Sequence, residues 1–260
     1  MNKDLAMRIP FRLPLTAALL LVGQQQALAA ASILIWPIDP VIEDQQPATA
    51  LWLENRDTKP VYMQVRVLGW RQIDGKDDYS NQSEVIASPP VASIAPGKRQ
   101  LIRLIKQTPP PAGQERAYRI LIDEVPVKEN DSSSTPAGAQ MGLKFQMRYS
   151  VPLFVSGQGV WTKPDSEKPR DYATANQPQL SYRLLQQSSQ RWLEVRNQGI
   201  VHARISKVTI QGKTLNAGLM GYVLPGSQMR FAVPPSGSFS SGKLQATVND
   251  NKQPITFPSY

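Results

Sequence analysis

The sequence predicts an all-β protein of two immunoglobulin-like β-sandwich domains, and three observations predict it. Apolar residues recur at period two rather than 3.6. The alternating runs are short and closed by Pro, Gly, Asn or Asp. The pattern also starts again after a Pro-, Gly- and charge-rich bridge over residues 157–169. With 260 residues, 41% of them hydrophobic and 19% charged, the chain is long enough to bury a core in each half.

The first 29 residues stand apart from this pattern. Lys3, Arg8 and Arg12 precede an apolar run over residues 13–22, and Ala27-Leu28-Ala29 supplies the small residues of a signal-peptidase site. The run is shorter than the roughly 20 residues a spanning helix needs, so export with cleavage after Ala29 is expected and membrane insertion is not. Cleavage removes three basic residues and Asp4, which takes the formal charge from +9 to +7.

The first domain is expected over residues 30–156. Residues 50–55, 61–67, 100–105 and 118–122 are short and rich in β-branched and aromatic side chains. Corners fall at Asn55-Arg56-Asp57, at Asp74-Gly75-Lys76-Asp77-Asp78, at Ser88-Pro89-Pro90 and at Pro96-Gly97. About seven such strands in roughly 120 residues is the pattern of an immunoglobulin-like sandwich. Residues 129–138 are low in complexity and read as a loop, and Val151-Pro152-Leu153-Phe154-Val155 reads as a buried final strand. The second domain is expected over residues 157–260, with strands at 179–185, 191–196, 203–211, 228–233 and 243–248. Its corner Asn197-Gln198-Gly199 echoes the one at Asn55.

Composition removes most catalytic chemistry. Without cysteine there is no disulfide, thiolate metal site or cysteine nucleophile, and the one histidine, His202, cannot build a multi-histidine cage. No nucleophile elbow surrounds Ser156, and no Gly-rich phosphate loop follows a strand and opens a helix. His202 precedes a strand with no evident acid partner and is expected on the solvent side, so neither an enzyme nor a cofactor is expected. The spacing of Asp74, Asp77, Asp78 and Glu84 fits no ordered calcium loop and reads as a solvated hairpin tip. Lys and Arg are scattered singly along strand-like runs, which argues against a nucleic-acid groove. Trp36, Trp52, Trp70, Trp161 and Trp192 are expected in cores or at their rims.

One segment departs from an ordinary sandwich. Over residues 140–151, Met141, Leu143, Phe145, Met147, Tyr149 and Val151 share one face, while Gln140, Lys144, Gln146, Arg148 and Ser150 share the other. An ordinary half-buried strand would show the same alternation. This run, however, exceeds the usual 5–6 residues, and its first half can project beyond the sheet. A long apolar strand at an open edge invites aggregation unless its task is to pair with another chain.

With this strand, the order and spacing of several motifs carry a family resemblance. They are Asn55-Arg56-Asp57, Ser88-Pro89-Pro90 before Pro96-Gly97 and Gln100-Leu101-Ile102-Arg103, Tyr118-Arg119-Ile120 running into Glu124-Val125-Pro126, and the ending Val151-Pro152-Leu153-Phe154. Over about residues 32–251 the chain resembles the periplasmic chaperones of chaperone–usher pilus assembly. The resemblance implies a boomerang of two domains that donates its last first-domain strand to an incomplete pilin subunit and delivers it to an outer-membrane usher. Self-association of the free chain belongs to the same picture. The resemblance places Met141, Leu143, Phe145, Met147 and Tyr149 on the pilin-binding face. It also implies an interdomain ionic cluster of Arg103, Glu115 and Asp250. Where many members hold the pilin carboxylate with an Arg and a Lys, Asp39 and Pro152 stand here, and with the start Trp36-Pro37-Ile38-Asp39-Pro40 and the ending Val151-Pro152-Leu153-Phe154 the chain looks more like the archaic branch of the family. Arg148, Lys144 and Arg103 are then the candidate carboxylate anchors, although Arg148 should face away from Met147. A secreted adhesion or ligand-binding sandwich is the alternative function.

Overall fold

In the computed structural model, which describes residues 33–126, 146–164, 168–233 and 242–260, the period-two runs become strands that bury every second side chain. The first half holds β1 (Ile33–Trp36), β2 (Val41–Ile42), β3 (Ala48–Asn55), β4 (Val61–Ile73), β5 (Lys76–Ser80), β6 (Val85–Ser88), β7 (Val91–Ile94), β8 (Arg99–Lys106), β9 (Glu115–Glu124) and β10 (Arg148–Ser156). They form two sheets, β1-β3-β8-β6 and β2-β10-β9-β4-β5, the latter with β7 attached to β4. Between them Leu51, Leu53, Met63, Ile102, Leu104, Ile120, Ile122 and Leu153 are fully buried. At about 1.5–3 kcal/mol for each such side chain, this layer is what makes the sandwich cohere.

The second half repeats the plan with β11 (Leu180–Gln187), β12 (Gln190–Asn197), β13 (Ala203–Ile210), β14 (Lys213–Val223), β15 (Gln228–Val233), β16 (Leu244–Val248) and β17 (Ile255–Phe257). Sheet β11-β12-β15 faces sheet β14-β13-β16-β17 over Leu193, Val195, Ile205, Val208, Leu244 and Phe257. The long strand β14 is absent from the sequence reading, because Gly218 and Gly221 interrupt its alternation and its pairing with β13 carries register shifts. Among the described residues no helix is long and apolar enough to cross a membrane.

The two Asn corners are the same device used twice. The Asn55 amide donates to the carbonyls of Ile94 and Lys59 and its oxygen accepts from Asp57 N. The fully buried Asn197 donates to Val201 O and Val223 O and accepts from Gly199 N and Gln179 N. Each amide thereby satisfies backbone groups that a buried corner would otherwise leave without partners. At the end of β10 the chain must leave the first sandwich through Gly157, where a Cβ would stand 2.0 Å from the carbonyl oxygen of Pro111.

The acidic stretch is a continuation of the sheet. β4 runs on to Ile73, turns through Asp74 and Gly75, both at positive φ, and returns as β5. Trp70 Nε1 donates to Asp77, Arg71 pairs with Asp78, and Glu84 accepts from Arg116 and from the Tyr118 hydroxyl.

Replacing Asn197 by Ala is expected to lower the unfolding free energy of the second sandwich by about 1–3 kcal/mol in urea titrations, since it orphans buried carbonyls. Asn197→Asp should do no better, because a carboxylate cannot donate to Val201 and Val223.

Candidate strand-docking edge and interdomain cleft

β10 uses its two edges unequally. It pairs with β9 without a break from Arg148↔Asp123 to Ser156↔Glu115, whereas β2 pairs only with Phe154 and Val155. In an antiparallel ladder, alternate residues direct both backbone groups to the same side. Glu124 N donates to Met147 O, and Gly157 N to Gln114 O, so the odd-numbered residues face β9. Phe154 N donates instead to Pro40 O, so the even-numbered residues face the other way. The backbone groups of Arg148 and Ser150, and the carbonyl of Pro152, therefore point to the side that β2 covers only farther on, at Phe154 and Val155, and no described strand pairs with them there. Pro152 is at home on such an edge, because its missing N–H removes no bond to β9.

The apolar face of the same strand climbs out of the core. Val155, Leu153 and Val151 are buried between the sheets. Tyr149 is half-buried, packs against that core and accepts a bond from Ile33 N at 3.3 Å, and Met147 is already 36% exposed. Met141, Leu143, Lys144 and Phe145 lie outside the described residues.

The anchor candidates are placed differently from expectation. Arg148 donates to Asp123, which also binds Arg66 at 2.7 Å, on the sheet face opposite Met147. Burial alone would raise the Asp123 carboxyl, but the bonds from Arg148 and Arg66 hold it below the usual carboxylate range. Arg103 is exposed on the other sheet, between Ala50 and Ser88. Neither is brought to the cleft where the open edge ends.

Arg119 is, and the sequence reading passed over it. It lies directly across β9 from Pro152, with its guanidinium 3.8 Å from the centroid of the Trp70 ring and 5.8 Å from that of Tyr222. Its Nε is buried without a hydrogen-bond partner among the described residues, a rare condition that calls for one. Around it Trp70, Phe154 and Leu224 are buried together with Tyr222, whose hydroxyl burial pushes to higher pKa. The cleft is thus an aromatic wall carrying a half-buried, fork-shaped cation. Arg119 stands in a motif visible in the sequence, but only the register with Pro152 shows what it faces.

The junction beneath the cleft corrects two expectations. His202 is not on the solvent side: it is 5% exposed, its ring stacks on Phe154 at 3.4 Å, and its Nδ1 lies 3.0 Å from both Glu115 carboxylate oxygens. That geometry assigns the donor proton to Nδ1, and His202 N adds a second bond to Glu115 at 2.8 Å. Nor do Arg103, Glu115 and Asp250 form one cluster. Glu115 belongs to His202 and Asp250 to Arg204 at 2.7 Å, while Arg103 makes no ion pair with a described residue. The reason is local. Arg103 is exposed on β8 of the opposite sheet, whereas Glu115 on β9 lies beside His202, so its partner comes from the second domain. Gln72 fastens the other side, donating to Tyr222 O at 2.9 Å and accepting from Leu224 N at 2.8 Å. Lys163 ties down Asp39, bonding its carboxylate at 2.7 Å and its carbonyl at 3.0 Å.

Comparison with known proteins follows the same lines. A family model described as pili and flagellar-assembly chaperone, PapD N-terminal domain, matches residues 40–160. Among solved structures the chain is similar to the CsuC chaperone of the archaic Csu pili of Acinetobacter baumannii, solved with the tip subunit CsuE. The identity is 35%, covering 88% of this chain and 100% of that one, at a TM-score of 0.72. The SafB chaperone of Salmonella enterica, solved with the SafA pilin, shares the fold at 17% identity over 89% of this chain and 98% of that one, with a TM-score of 0.60. So does DraB of E. coli, at 18% identity over 88% and 97%, with a TM-score of 0.57. No curated protein matches.

A double-mutant cycle separates the observed junction from the expected one. Glu115→Ala and His202→Ala should be non-additive by about 1–3 kcal/mol in unfolding free energy, whereas Arg103→Ala and Asp250→Ala should add to within about 0.5 kcal/mol.

Proposed function

The chain belongs to the chaperones of chaperone–usher pilus assembly, and on that premise we propose that the open edge of β10 is where it takes up an incomplete subunit. It acts by donor-strand complementation, stabilising pilus subunits before assembly. The observation that carries the site assignment is the unequal pairing of β10, with backbone groups unbonded on one side and an apolar face that leaves the core at Met147. Continued at the same parity, that face presents Phe145, Leu143 and Met141 to the subunit's groove, with Tyr149 at its base. Each such side chain contributes about 1.5–3 kcal/mol when buried, so several together are needed to outweigh the cost of association.

A subunit strand added parallel to β10 ends at the cleft, where its terminal carboxylate meets Arg119. A guanidinium already stacked on Trp70 and half-buried there is suited to a bidentate bond. In this reading Arg119 replaces Arg148 and Arg103 as the anchor, and Lys144 is left as a contact along the strand. The reading further includes a signal over residues 1–29, domains over 30–156 and 157–260, work in the periplasm, hand-over to an outer-membrane usher, and self-association of the free chain through the same edge.

Co-expression with the cognate pilin subunit, followed by co-purification, tests it. The Phe145→Asp, Met147→Asp double variant should fold and lose the subunit; retention at the level of the unaltered chain would refute the donor face. Arg119→Ala should weaken capture by about 1.5–3 kcal/mol, the scale of a hydrogen bond to a charged group, while Arg148→Ala should change it by less than about 0.5 kcal/mol. The reverse ranking would return the anchor to Arg148.

A further inference from the structure

We propose that Pro152, with the Pro40 carbonyl behind it, is a stop that sets the register in which a subunit strand is taken up. The inference rests on β10 being the docking edge. A strand added to that edge comes from another chain, so no turn fixes its register. Because side chains alternate at period two, a slip by two residues keeps every apolar residue on the same face, and the hydrophobic pattern alone cannot exclude it. Something at one end of the ladder must.

The structure supplies it at the cleft end. Along the open side, N–H donors are available at Arg148 and Ser150. The next position of the same parity is Pro152, which has none, and the one after it, Phe154, already donates to Pro40 O at 3.2 Å. The obstructing segment is firmly held. Pro40 and Pro152 are both buried, β2 continues from Pro40 into its parallel pairing with β10, and Lys163 clamps Asp39 by side chain and carbonyl. A strand sliding two residues further toward the cleft would therefore find no donor at Pro152, and any longer slide would meet the held Pro40 segment at Phe154. Arg119 rewards the correct end point, whereas Pro152 excludes the one beyond it.

The chain contains no cysteine, so disulfide trapping reads the register directly. Full-length protein carrying Arg148→Cys is co-expressed with the cognate subunit bearing single cysteines along its last strand. With Pro152 intact, one subunit position should dominate the trapped product. Pro152→Thr, which restores the N–H, should add a second position two residues away at comparable yield. Ser150→Pro should fold, because that N–H faces the open side, and should move the preferred position two residues the other way or reduce trapping at least tenfold. Arg119→Ala separates anchor from stop: it should keep one position, and Arg119→Ala with Pro152→Thr should show two. A second position in Arg119→Ala alone, or the same one position in all variants, would overturn the stop. No trapping at any position with Pro152 intact would refute the docking edge itself, and this inference with it.

Discussion

A strand inside a sheet spends both of its hydrogen-bonding edges on neighbours; β10 spends one. Its odd-numbered residues turn their backbone groups to β9, which lies beside it along nine consecutive pairs, whereas β2 lies beside its other edge only at Phe154 and Val155. The rest of the chaperone's design follows from that inequality. The paired edge and the buried Val151, Leu153 and Val155 hold the strand to the sandwich, so its free edge and emerging apolar face are presented by a rigid element. Such an edge ordinarily invites aggregation, and natural proteins cover or shorten it. On the proposed reading, the exposed length is what an incomplete sandwich needs.

The second domain matters because it holds the far end of that edge in place. His202 stacks on Phe154 of β10 and binds Glu115 of β9, so two adjacent strands of the docking sheet are fixed by one side chain. Gln72 and Gly75 bind the β4–β5 hairpin to Tyr222, Leu224 and Arg230, and Lys163 holds Asp39 before β2. Of these contacts the His202–Glu115 pair is buried, where a hydrogen bond between charged or polar partners is costly to break, and the others are partly buried. The cleft is consequently a built feature whose walls, Trp70 and Tyr222, flank the half-buried Arg119 guanidinium and orient it.

Much of the fold could be read from the sequence, because period-two alternation and turn residues are local signals. Runs such as residues 50–55 and 203–211 lie within strands or overlap them almost residue for residue, and the Asn55 and Asn197 corners do the same work in both domains. β14 was hidden by its glycines and bulged register, and β5 by its acidic residues. The site was legible only along one strand. Which side chains share a face follows from parity, and so Met147 and Arg148 could be placed on opposite faces. What meets across the chain could not be seen: His202 and Glu115 are 87 residues apart, and Arg119 acquires meaning only from its register with Pro152 and its stacking on Trp70. The expected cluster of Arg103, Glu115 and Asp250 failed for the same reason, since charge and position in sequence do not reveal that Arg103 lies on the opposite sheet or that His202 and Arg204 take the two carboxylates.

The most direct test of the docking edge is amide hydrogen exchange, resolved by residue, on the free chain and on its complex with the cognate subunit. Tyr149, Val151 and Leu153 should be protected in both states, because their N–H groups are bonded to β9. Arg148 and Ser150 should exchange rapidly in the free chain and slow by at least about tenfold in the complex, as a subunit strand closes the open side. Protection of Arg148 and Ser150 already in a monomeric free chain, or unchanged rapid exchange in the complex, would contradict the docking edge.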